Sequence, residues 1–187
     1  KGEFELLDTG IFNDNKYFDC FVEYAKEDAN DILVKITIAN RGNETAKINV
    51  LPTIWFRNNW SWAGKPTGNY SLQLADENAV EISYKGTPKF TLHCENADEL
   101  LFCENNTNKQ KLFGAENESE FVKDGINDYI VNGDKSAVSP ERKGTKAAAN
   151  YLLELKGGEE KTIRLRLKSV PTEVGTQNFY FNSNNAF

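Results

Sequence analysis

Side chains that change character at every step constrain this chain most. In Thr162–Lys168, Ile163, Leu165 and Leu167 alternate with Arg164, Arg166 and Lys168. Successive strand residues point to opposite faces, so the run buries its aliphatic row and exposes its cations. A one-residue slip would reverse that, which fixes the register. Ile32, Val34, Ile36 and Ile38 alternate in the same way with Leu33, Lys35, Thr37 and Ala39, β-branched on the buried side. In Tyr17–Tyr24, Phe18, Cys20, Val22 and Tyr24 share one face, with Asp19 and Glu23 opposite. Shorter strand candidates are Tyr70–Leu74, Val80–Tyr84, Phe90–His93, Leu100–Cys103, Ile126–Val131 and Tyr151–Leu155. Many short strands between frequent turns predict an all-β fold with little helix: an antiparallel, supersandwich-like β-sandwich.

Turn residues organise the rest. Asn40-Arg41-Gly42-Asn43 reads as a turn, and Ile48, Val50 and Pro52 continue beyond it on one face, predicting a hairpin. Lys156-Gly157-Gly158-Glu159 is a second turn. The alanines of Lys146–Asn150 suit one helical turn. Glu104–Asn108 reads as a polar loop that returns to the core through Leu112 and Phe113. The sandwich is expected over residues 1–170. Residues 171–187 are polar and Asn-rich but carry Phe179, Tyr180, Phe181 and Phe187, and read as a connector toward a missing catalytic domain, with aromatics that dock on a part of the parent protein.

Composition removes several functional classes. A net charge of −6 argues against a phosphate-binding surface, so no nucleic-acid partner is expected. No apolar run approaches the ~20 residues of a membrane helix, and no membrane partner is expected. Three cysteines, Cys20, Cys94 and Cys103, do not make a disulfide framework. Cys20 reads as a small core residue, and Cys94 and Cys103 pair only if their strands align. A single histidine and no CxxC leave nothing for zinc, so no cofactor is expected, and a cytoplasmic setting fits. The chain has no Met and begins with Lys1, as a segment cut from a longer protein would. The Asn-x-Ser/Thr triplets at Asn43, Asn59, Asn69, Asn105 and Asn117 are expected from the abundance of Asn and are discounted as glycosylation sites.

Two segments carry chemistry of interest. All the tryptophans fall in Leu51–Trp62. Trp55 lies in a strand and reads as core. Trp60 and Trp62 precede Gly64, Pro66 and Gly68 and read as loop residues facing a sugar or a neighbouring domain. Arg57 and Asn59 add hydrogen-bonding groups beside them. In the second segment, Asp124 and Asp128 flank Gly125. Paired carboxylates serve glycoside hydrolysis as acid and base, but an Asp next to Gly is more often a turn residue. Calcium is left open, because Asp124, Asn127 and Asp128 offer oxygen ligands but not at EF-hand spacing. His93 and Cys94 are strand neighbours on opposite faces, so they read as structural rather than as a dyad.

The chain also resembles part of the large bacterial glucosidases of glycoside hydrolase family 63. The stretches that carry the resemblance are Leu6–Gly10, Lys16–Asp19, Phe21–Lys26, Asp31–Thr37, Asn40–Gly42, Leu51–Trp62, Glu104–Gly114, Phe121–Val131 and Gly144–Ala148. They run in order over roughly residues 3–168, with Cys20 and Cys103 where other small residues are expected. The resemblance implies an inverting α-glucosidase whose β-supersandwich precedes an (α/α)6 barrel. It places the catalytic carboxylates in that barrel, so no catalytic residue carries over to this chain. It further implies the barrel of a parent chain and an α-glucoside or oligosaccharide as partners. A free-standing carbohydrate-binding module and a purely structural domain are the competing expectations.

Overall fold

The structure is a computed structural model that describes residues 2–57 and 70–170. The fold is all-β, antiparallel and sandwich-like. Its strands are β1 (Phe18–Asp28), β2 (Asp31–Asn40), β3 (Ala46–Val50), β4 (Thr53–Trp55), β5 (Tyr70–Asp76), β6 (Ala79–Tyr84), β7 (Phe90–Cys94), β8 (Glu99–Cys103), β9 (Lys143–Gly144), β10 (Lys146–Leu155) and β11 (Glu160–Ser169). Two short helices, α1 (Lys109–Phe113) and α2 (Gly125–Asn132), lie between β8 and β9. No helix among the described residues is long and apolar enough to cross a membrane.

A wide sheet runs β1-β2-β11-β7-β6-β5-β9. A narrower sheet is built on β10, which pairs with β3, β4 and β8. β3 and β4 keep one register against β10, interrupted where Pro52, which has no N–H to donate, instead accepts the Ala149 N–H at 3.0 Å. The main core joins Ile36, Ile38, Leu72, Val80, Ile163 and Leu165 of the wide sheet to Leu100, Phe102, Ala147, Tyr151 and Leu155 of the narrow one. A second cluster, Leu101, Cys103 and Ala148 with Ile126 and Val138, packs α2 on the outer face of the narrow sheet.

The alternation in β11 places its residues as expected, with Ile163 and Leu165 buried. The outward row has an ionic function as well. Asp31, 1% exposed, receives Arg166 Nε at 2.8 Å and Nη2 at 2.6 Å, and Lys168 Nζ lies 3.5 Å away. The Arg166 hydrogen bond holds the Asp31 carboxyl below its usual pKa, against the opposing effect of burial.

Several local expectations are corrected. β2 and β3 are not a hairpin: β2 pairs with β1 and β11, and β3 with β10. The turn between them carries the chain across the sandwich, and the Asn40 side chain ties it down by donating to Glu44 O at 2.8 Å and Leu155 O at 3.0 Å. Lys146–Asn150 is strand: Ala147 and Ala149 turn inward into the main core, Ala148 turns outward under α2, and all three are buried. Ile126–Val131 is helical, closed by Gly133 in the left-handed region at φ 69°. Leu112 and Phe113 stand exposed on α1 instead of returning to the core. Cys20, expected inside, is exposed, because the narrow sheet does not extend beneath that part of β1. Cys94 and Cys103 lie in different sheets as free, buried thiols, and burial pushes their pKa values up to about 12 and about 11.

Candidate functional site

The end of the narrow sheet where β4 and β8 run out and β10 begins gathers most of the described candidate residues. Lys146 is paired in register with Trp55 on one side and with Cys103 on the other. Directly opposed residues in an antiparallel pair share a face, so Trp55, Lys146 and Cys103 form a row on the outer face. Cys103 is buried there under α2, whereas Trp55 is 56% exposed. The expectation of Trp55 as a core residue is therefore wrong. An outward row is buried only where something covers it: α2 covers part of the outer face, and the inner face of β4 is filled by Ile54.

Beyond Trp55, the backbone is fastened to the β8 exit. The Phe56 N–H donates to Thr145 O at 2.9 Å, and Asn105 Nδ2 donates to Phe56 O at 2.9 Å. Thr145 Oγ1 accepts the Asn105 N–H at 2.8 Å and donates to Glu104 Oε2 at 2.6 Å. These bonds place the exposed Arg57 at the rim of the 104–124 loop. Asn59, Trp60 and Trp62 lie outside the described residues.

Asp124 and Asp128 come together, but not as an acid and base. Asp124 occupies the N-cap position of α2 without donating or accepting a side-chain cap. Its Oδ2 accepts from Asn108 Nδ2 at 3.2 Å and from Lys111 Nζ at 3.4 Å. Asp128, one turn later, lies 4.0 Å from the same ammonium and accepts from Asn132 Nδ2 at 3.0 Å. One lysine thus serves both carboxylates. An inverting pair needs its carboxyl groups on opposite sides of a sugar with room for water, whereas these two lie one turn apart on the same helix end and share Lys111 as counter-ion. Among the described residues, no group of three or more His, Cys, Asp or Glu side chains is placed to hold a metal ion.

A shallow cleft of about 460 Å³ adjoins this end, lined in part by Tyr70, Glu104, Glu120, Phe121, Glu141 and Lys143. Tyr70 stacks on Tyr84, with ring centroids 4.7 Å apart, and leans on Phe56 at 5.0 Å. Sequence reasoning missed Lys146, Glu104, Thr145 and Tyr70. The first was obscured by the helix-like alanines that follow it. The others become neighbours only through pairings between distant strands. His93 sits on β7, half-buried, with its pKa lowered by burial.

No protein-family model matches the chain. It is similar to an uncharacterized protein of Saccharomyces cerevisiae, YMR196W, at 33% identity over 205 aligned residues. The alignment takes in 90% of this chain and 19% of the yeast protein, so the chain spans about a fifth of the length of the curated relative it matches.

Proposed function

We propose that this chain is the non-catalytic β-sandwich of a larger, family 63-like glycoside hydrolase of α-glucosidase type. In this reading it packs on the catalytic (α/α)6 barrel and helps to shape the substrate pocket. The observation that carries the reading is the exposed Trp55 beside Lys146, at an end where Arg57 and the fastened 104–124 loop converge. A large aromatic with a polar N–H suits an interface or a flat sugar face. The pairing of Asp124 and Asp128 with one lysine agrees with catalytic carboxylates residing elsewhere. The greater length of the yeast relative leaves room for a second domain. Three free thiols suit the cytoplasm.

The test uses the longer protein. Wild-type enzyme should hydrolyse an α-glucoside, and Trp55→Ala and Trp60→Ala should each lower turnover while leaving the fold intact. Unchanged kinetics in both variants reject the role of this face. The row Phe56–Tyr70–Tyr84 beside the cleft favours a second reading, a carbohydrate-binding module. That reading requires the isolated chain to bind maltose-type sugars.

A further inference from the structure

The wide sheet overhangs its partner at the β1–β2 turn. Cys20, Val22 and Tyr24 of β1 are paired in register with Ile38, Ile36 and Val34 of β2. All of these therefore belong to the core-side face. Ile38 and Ile36 are 1% and 6% exposed, whereas Val22 is 45% and Tyr24 73% exposed. Val34, Ile32 and Leu167, which continue the same face, are half-buried. The result is an apolar shelf continuous with the main core, on the side of the sheet that elsewhere is covered.

The route of the chain indicates what covers it. β11 ends beside this shelf: the Ser169 N–H donates to Asn30 O at 3.0 Å, in the β1–β2 turn, and the Val170 N–H donates to Lys89 O at 2.8 Å. The polypeptide that follows Val170 starts at the rim of the overhang and carries Phe179, Tyr180, Phe181 and Phe187 in an otherwise polar sequence. We propose that the shelf of Val22, Tyr24, Ile32 and Leu167 is a docking face for the aromatic segment Phe179–Phe181 of the same chain. Removing these side chains from water provides the driving force, and a link of eight residues between Val170 and Phe179 keeps the effective concentration high. This inference concerns a different surface from the Trp55 face and stands independently of the proposed function.

Cys20, two residues before Val22 on the same face of β1, borders the shelf and provides the readout, since Cys94 and Cys103 are buried. The experiment measures the rate at which a thiol reagent labels Cys20, located by peptide mapping, in the 187-residue chain and in the Phe179→Ser/Phe181→Ser double variant. Unchanged circular dichroism confirms that both are folded. Labelling is expected to be about tenfold slower in the wild-type chain, as for a site that must open locally first, and independent of protein concentration. Equal rates in the two chains overturn the proposal. Equal rates that fall as protein concentration rises give the shelf to a second copy of the chain instead.

Discussion

Trp55 and Lys146 stand opposite each other on β4 and β10, and both side chains face outward from the narrow sheet. Of the tryptophans, Trp55 is the one among the described residues, and it is on the surface. Truncating an exposed side chain that fills no core space changes stability little. Trp55→Ala should therefore shift the unfolding free energy of the isolated chain by less than about 0.5 kcal/mol, measured by urea titration. A loss several times larger would mean that the ring is a packing residue, and the surface reading of this face would fail.

Asp31 and Arg166 present the opposite case. The carboxylate is almost wholly enclosed and depends on the guanidinium beside it. Arg166→Met leaves the buried carboxylate with Lys168 at 3.5 Å as its remaining counter-ion and should cost about 2 kcal/mol. The double variant Asp31→Asn/Arg166→Met should recover part of that loss, because the buried carboxylate is gone. Denaturant unfolding of the wild type, the two single variants and the double variant measures the coupling. Additive losses would show that the pair is not a unit.

Acid should weaken the fold from two directions. His93 titrates below its usual 6.5 in the folded chain. As pH falls below that value the unfolded state takes up a proton that the folded state refuses, and stability declines until the folded imidazole also protonates. Asp31, lowered from 3.8, acts in the same sense at lower pH. Its contribution is full above 3.8 and is lost as pH falls through the lowered folded value. Unfolding free energy followed from pH 7.5 downward should therefore begin to fall near the usual histidine value, and His93→Gln should remove that first decline. A pH-independent curve from 7 to 5, or a decline that persists in His93→Gln, contradicts this assignment.

Gly144 marks the place where the chain passes from the wide sheet into the narrow one. A Cβ there would lie 2.3 Å from the Cys103 carbonyl oxygen, a backbone atom that cannot rotate away. Gly144→Ala should cost about 2 kcal/mol by overpacking. It should also disturb the adjoining Thr145–Glu104 hydrogen bond, visible as a chemical-shift change at the Asn105 amide. A neutral substitution would mean that the β8–β9 crossing is looser than the structure has it.

The fold class was legible because the period of two survives in the strands that form the main core: Ile36, Ile38, Ile163 and Leu165 all turn inward. Pairing was less legible. Asn40–Asn43 looks like a hairpin turn, yet β2 and β3 separate, because β2 pairs with β11 and β3 with β10, each more than a hundred residues away. The alanines before Asn150 favour helix locally, but they are packed on both faces of the narrow sheet, Ala147 and Ala149 against the main core and Ala148 under α2. Ile126–Val131 alternates well enough to mimic a strand, and the glycines at 125 and 133 were the overlooked signs of a helix start and stop. Near the β4–β8 end, Arg57 and Asp124 stood out in the sequence by residue type, and the structure puts Arg57 on the surface and Asp124 in an ion pair with Lys111. Lys146, Glu104 and Thr145 did not stand out, since what places them is register between strands, which no local pattern encodes.

The isolated chain should show no calorimetric heat with maltose or longer α-glucans. Saturable binding at sub-millimolar concentration would favour the carbohydrate-binding reading instead, with the Phe56–Tyr70–Tyr84 row as the first place to mutate.

Side-by-side assays of α-glucoside hydrolysis by this chain alone and by a longer protein in which it precedes a barrel decide whether the sandwich is the non-catalytic part. Cleavage with inverted anomeric configuration is expected from the longer protein and none from the sandwich. Cleavage by the sandwich alone, or no cleavage of any α-glucoside by the longer protein, would overturn the family 63-like reading.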